Sequence, residues 1–175
     1  MKKYVLLTLF AGTAGMIWVM AKTGIPLKTS QTPLGILNLE FAYNSEKVKA
    51  IIDSWSGNHV EKILDAAKLN TWLDFIFLFF YAFFLYSCCR FLAKLSNGVV
   101  SSIGHWLSIG ALAAGILDIL ENTGMLISLS GHISDTTSLF TCICSIFKWL
   151  LALLAVGYIL TAGIIVLVKK SNPAD

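Results

Sequence analysis

The sequence predicts an all-α polytopic membrane protein: four transmembrane helices, with two short amphipathic helices in a long first extracytoplasmic loop. Three observations predict it. The 175 residues are 57% hydrophobic and only 13% charged, whereas charged residues make up about a quarter of a soluble domain. Mean hydropathy is +0.77. The apolar runs are long, unbroken and non-alternating, which selects helices over a β-barrel, the other structure that satisfies its backbone polar groups in lipid. At this length residues 1–175 form a single membrane domain.

The first span is Tyr4 to Met20, behind Lys2 and Lys3. Trp18 and Met20 stand where small residues would precede a signal-peptide cleavage site, so the run reads as an uncleaved span. Residues 21–70 are the one sizeable polar segment. Gly24, Pro26 and Pro33 mark a turn-rich lead-out. A first amphipathic helix is expected after an Asn44 or Ser45 cap, with Val48, Ile51, Ile52 and Trp55 as its apolar stripe and Gly57 as its stop. A second is expected from Asn58, where Glu61 completes the form of a capping box and Val60, Ile63, Leu64 and Ala67 make the stripe. Two short helices cannot enclose a core of their own, so they are expected to lie as a lid on the outer ends of the spans.

The remaining spans are 71–89, rich in Phe, then 105–129 and 147–168. Phe140 to Phe147 is apolar as well and either extends the fourth helix or lies in the interface. Orientation follows from basic residues in short flanks. With the N-terminus inside, the inner flanks hold Lys2, Lys3, Arg90, Lys94, Lys169 and Lys170, and the loop from Ser130 to Ser138 holds no Lys or Arg. Both termini are therefore expected in the cytoplasm. Trp18, Trp72 and Trp149 then fall at outer span ends and Trp106 at an inner one, as an aromatic belt requires.

That topology gathers the charges. Asp74 lies near the outer end of the second span, Asp118 and Glu121 in the outer half of the third, and Lys148 at the outer start of the fourth. Asp118, Glu121, Asn122 and Met125 share one helical face at i, i+3, i+4, i+7, continued inward by Ala111, Ala114 and Gly115, which let a neighbour approach closely. Tyr81 shares a face with Asp74 and Leu78. The expectation is a cavity or a paired polar knot between spans two, three and four. Bland readings compete. Thr71 with Asp74 has the form of a helix-start capping box, and Lys148 can snorkel to the surface. Asp118 and Glu121 are harder to explain away, because ionisable residues in a span are costly and usually mark function.

Other chemistry finds no support. A net charge of +3 without a dense basic cluster excludes nucleic acid as an expected partner. Cys88, Cys89, Cys142 and Cys144 lack zinc or redox spacing and read as free thiols. His59, His105 and His132 lie apart, so no metal site is expected. No glycine-rich phosphate loop or nucleophile elbow is present, and no cofactor is expected.

Leu39-Glu40-Phe41-Ala42, the helix ending at Trp55, Leu73-Asp74-Phe75 with Tyr81, Ala114-Gly115-x-x-Asp118-x-x-Glu121-Asn122 and Lys148 together resemble a widespread family of small four-span bacterial inner-membrane proteins. The resemblance covers most of residues 34 to 165. It implies that the outer polar residues belong together and adds Glu40 as a rim residue. It implies no activity.

Three functions fit these residues. The first is binding of a lipid-like or amphiphilic ligand, or of a membrane-protein partner, by Asp74, Tyr81, Asp118, Glu121, Asn122, Lys148 and Glu40 in the outer leaflet, with membrane lipids around it. The second is a membrane enzyme acting on a lipid or isoprenoid, with Asp118 and Glu121 as acid and base. The third is a small proton-coupled dimeric transporter, weakened because the acids sit near one side and the halves show no repeat.

Overall fold

The computed structural model describes residues 3–56 and 61–171. Among these the regular structure is helical, in the order α1 (Lys3–Thr23), a 3-10 turn (Ile25–Leu27), α2 (Ile36–Glu40), α3 (Ser45–Trp55), α4 (Glu61–Leu95), α5 (Gly98–Leu129) and α6 (Asp135–Ser171). Four helices are long and apolar enough to cross a membrane: Tyr4–Thr23, Ile63–Leu95, Gly98–Leu129 and Asp135–Val168. About 20 residues suffice for a crossing, so α4, α5 and α6 each exceed that need by several turns.

The second expected lid helix is not a separate element. Residues 61–70 are the first turns of α4, which runs on through Thr71 to Leu95. No Gly or Pro interrupts this stretch, and Ala66, Ala67, Lys68 and Leu69 favour helix, so nothing stops the chain. The Asn58 cap, Gly57, His59 and Val60 lie outside the described residues. Continuity also overturns the Thr71–Asp74 capping box. Thr71 sits inside a helix, where its hydroxyl donates to the Ala67 carbonyl at 3.0 Å, and Asp74 lies about 20 Å from the start of α4. Likewise α6 begins at Asp135, so Phe140 to Phe147 is part of that helix.

The α5–α6 turn shows how a short connection is made. Gly131 adopts φ +93°, its N–H donates to the Ser128 carbonyl at 3.0 Å and the His132 N–H to Ile127 at 3.2 Å. This is a Schellman cap, which satisfies the last carbonyls of α5 and returns the chain antiparallel. As a result the start of α6 lies beside the end of α5.

Helix α4 is the hub, packing against α1, α5 and α6, while α5 also packs along α6. Small residues set the spacing: a Cβ on Gly115 would stand 2.9 Å from the Ala82 Cβ. Helix α1 is peripheral. It lies along α4 through Gly12, against which the Phe80 ring rests, and its end is held by Asn70, whose Nδ2 donates to the Met20 carbonyl at 3.1 Å and the Thr23 hydroxyl at 2.7 Å.

Two apolar cores result. One joins α2 and α3 to the upper ends of α4 and α5 through Leu27, Leu39, Val48, Trp55, Met125 and Leu129. Trp55, fully buried, donates its indole N–H to the Leu27 carbonyl at 3.2 Å and the Thr32 hydroxyl at 3.1 Å, which fixes the lead-out against the lid. Asn44 caps α3 by accepting from the Lys47 N–H at 2.9 Å. The other core fills the opposite half of the bundle with Leu85, Cys89, Ala111, Ala155, Tyr158 and Ala162. A polar layer lies between them.

Candidate functional site: a lysine ringed by carboxyls at the end of an apolar cavity

Lys148 is the centre of that layer. One helical turn of α6 earlier, Ser145 donates to the Glu40 carbonyl at 3.1 Å, which anchors the end of α2 against α6. The Lys148 side chain then reaches inward instead of snorkelling and is 8% exposed. Its Nζ lies 2.7 Å from Glu121 Oε2, 3.0 Å from Asp118 Oδ1 and 3.5 Å from Glu40 Oε2. The indole N–H of Trp149 donates to the same Glu40 oxygen at 3.2 Å.

The acids come from α5 because its spacing presents them together. Asp118, Glu121, Asn122 and Met125 are all essentially inaccessible to solvent, as one helical face at i, i+3, i+4, i+7 must be when it is covered on both sides. Asp118 is fully engaged. Its Oδ1 accepts from Lys148 at 3.0 Å and from Asn122 at 3.4 Å, and its Oδ2 accepts from the Tyr81 hydroxyl at 2.7 Å. Asn122 Nδ2 also donates to Asp74 Oδ2 at 2.9 Å. Asp74 Oδ1 has no hydrogen-bond partner among the described residues, although Asp74 is only 8% exposed.

This polar end opens into a cavity of about 560 Å³. Ile36, Leu37 and Glu40 of α2 roof it, and Phe77, Tyr81 and Leu85 of α4 form its back. Helix α1 supplies one side with Phe10, Thr13 and Ile17, and α6 the other with Trp149, Ala152 and Leu153. Asp74, Asp118, Asn122 and Lys148 line its polar end, and Glu121 does not. Glu121 stands behind the lysine, 0% exposed, with Oε1 unpartnered by any hydrogen bond.

The seven residues singled out from the sequence, Glu40, Asp74, Tyr81, Asp118, Glu121, Asn122 and Lys148, are thus brought into one cluster, but their roles separate. Glu121 is an internal counter-charge, Asp118 is saturated, and Asp74 alone among the acids of α4 and α5 offers a free oxygen to the cavity. Sequence reasoning missed the α1 wall and Trp149. Nothing marks Thr13 or Ile17 in a uniformly apolar helix, and Trp149 reads equally well as an interface belt residue. Comparison with protein-family models, curated proteins and solved structures finds no match for this chain.

Proposed function

We propose that this chain is a multi-pass protein of the bacterial cytoplasmic membrane, both termini cytoplasmic, that binds a lipid-like or amphiphilic molecule in an outer-leaflet site beneath a lid formed by α2 and α3. The observation that carries this reading is the cavity itself, apolar along its length and acidic at one end, as an amphiphile requires. Its volume falls within the range of about 300–1,000 Å³ typical of ligand sites. The polar cluster supports the reading too, since well-packed apolar residues are often at least as stable as a buried ion pair and ionisable residues in spans usually serve function.

One observation favours acid–base catalysis on a lipid or isoprenoid as the second reading: the free oxygen of Asp74 at the polar end. It moves the candidate base from Asp118 and Glu121, both engaged with Lys148, to Asp74. Transport draws less support, because the half of the bundle away from the acids is filled by its own core.

Native mass spectrometry with lipid identification, on protein extracted from its own membrane, tests the proposal. The wild-type chain is expected to retain an amphiphile, and Ala152→Phe, which fills the cavity one turn from Lys148, to lose it at unchanged melting temperature. A wild-type chain that carries no bound amphiphile in any mild detergent would sink the binding reading. A bound species chemically converted on incubation would instead establish catalysis.

A further inference from the structure

We infer that the cavity takes a cationic single-chain amphiphile, its ammonium head on Asp74 and its tail emerging sideways between α1 and α6. The inference rests on the ligand-binding reading of the same cavity and adds the charge of the ligand and its route.

Charge comes first. Four carboxyls, those of Glu40, Asp74, Asp118 and Glu121, gather around the single ammonium of Lys148. An ammonium has three N–H donors, and three carboxyls already stand within 3.5 Å of this one. Lys148 is thus already neutralised by its own carboxyls, and a phosphate or carboxylate head approaching it would also meet the oxygens of Asp74, Asp118 and Glu40. A cation meets the opposite situation. Asp74 lines the cavity and its one hydrogen bond among the described residues, from Asn122, falls on Oδ2, so Oδ1 faces the cavity as an acceptor open to a donor or a cation. A second ammonium at Asp74 would pair with the one carboxyl of the four that has no contact with Lys148.

The route follows from the walls. Phe10 and Ile17 of α1 and Leu153 of α6 line the cavity yet are each more than half exposed, so they mark its mouth on the outer surface of the bundle. That surface is the one apolar enough to face lipid. The α4 lining extends from Asn70 to Leu85, and the part from Asp74 to Leu85 is about 16 Å at 1.5 Å per residue, close to an extended chain of roughly twelve carbons.

Scintillation-proximity binding of radiolabelled dodecylammonium to the purified full chain, in neutral maltoside micelles, tests this. Saturable binding is expected. Dodecyl phosphate, 1-dodecanol and tailless propylammonium should each compete at least about tenfold more weakly than unlabelled dodecylammonium. Asp74→Asn should weaken the amine about tenfold and leave labelled dodecanol unchanged. Dodecyl phosphate or dodecanol competing as well as the amine overturns the charge assignment, and propylammonium doing so overturns the tail. In either case the cavity remains a binding site. If neither labelled amine nor labelled dodecanol binds saturably, the binding reading itself fails. Should Asp74→Asn not fold, the wild-type competition order alone decides.

Discussion

The same three helices build two halves of the bundle in opposite ways. Away from the lid, α4, α5 and α6 meet through small residues: Ala93, Gly104, Ala111, Ala155 and Ala162 are all buried, and the Tyr158 ring end lies directly on Gly104. Toward the lid, Lys148, Asp118, Glu121 and Asn122 fill the space between α5 and α6 with charge, and α1 and α6 stand apart around a cavity. Steric fit organises the first half and ionic pairing the second. A protein needing only stability could have used the first solution throughout, and the proposed ligand site is the reason offered for the second.

The largest effect should come from Lys148→Met. Among the described residues it removes the one cation paired with these carboxyls, which leaves Glu121 buried without a partner and Asp118 and Glu40 with neutral donors alone. Breaking a buried pair from one side costs about 3–5 kcal/mol, read as a lower unfolding midpoint in mixed SDS and dodecyl maltoside micelles. The informative companion is Lys148→Met with Asp118→Asn and Glu121→Gln, which removes the stranded charges as well. Most of the loss should then return. If Lys148→Met alone is neutral, the ionic account of this half is wrong.

The packed half is probed by Gly104→Leu. A Cβ at this position would already stand 2.9 Å from the Ala93 Cβ and run into the Tyr158 hydroxyl, so the larger side chain forces α4, α5 and α6 apart at a cost of about 1–3 kcal/mol. Gly157→Leu is the matched control, since nothing lies within 4 Å of a Cβ there. It should be neutral by the same measurement. Equal effects at the two glycines would mean that close packing does not hold this half.

How much of this contrast could be read from the chain depends on the kind of signal. Four helices long and apolar enough to span are readable because unbroken apolar runs have no other solution in lipid. The common face of Asp118, Glu121, Asn122 and Met125 is readable because helical spacing is local. What escaped was tertiary. Thr71 and Asp74 carry the local form of a helix start, but helix-forming residues upstream keep α4 going past them, so the cap has no free N–H groups to serve. Trp149 shows the same ambiguity from the other side, since one indole N–H can face a headgroup or Glu40, and only the approach of α2 decides. The division of labour among the acids also depends on where Lys148 points, which spacing does not specify. His59 and the Asn58 cap lie outside the described residues.

The smallest effect sharpens the comparison most, because it touches the polar layer without changing its charge. Tyr81→Phe deletes the hydroxyl that donates to Asp118 Oδ2 at 2.7 Å and leaves the Lys148 and Asn122 bonds to Oδ1 in place. A single side-chain hydrogen bond between membrane helices is worth on average about 0.6 kcal/mol, so the unfolding midpoint should barely move. Ligand binding should respond differently. Tyr81 lines the cavity, and without its hydroxyl the Asp118 Oδ2 oxygen joins Asp74 Oδ1 as an open acceptor. Dodecylammonium affinity should therefore hold or rise in Tyr81→Phe, which removes a contact, and fall in Asp74→Asn, which removes a charge from the same layer. If both variants lose amine affinity equally, the cluster acts as a single hydrogen-bonded unit, and the separate role given to Asp74 does not stand.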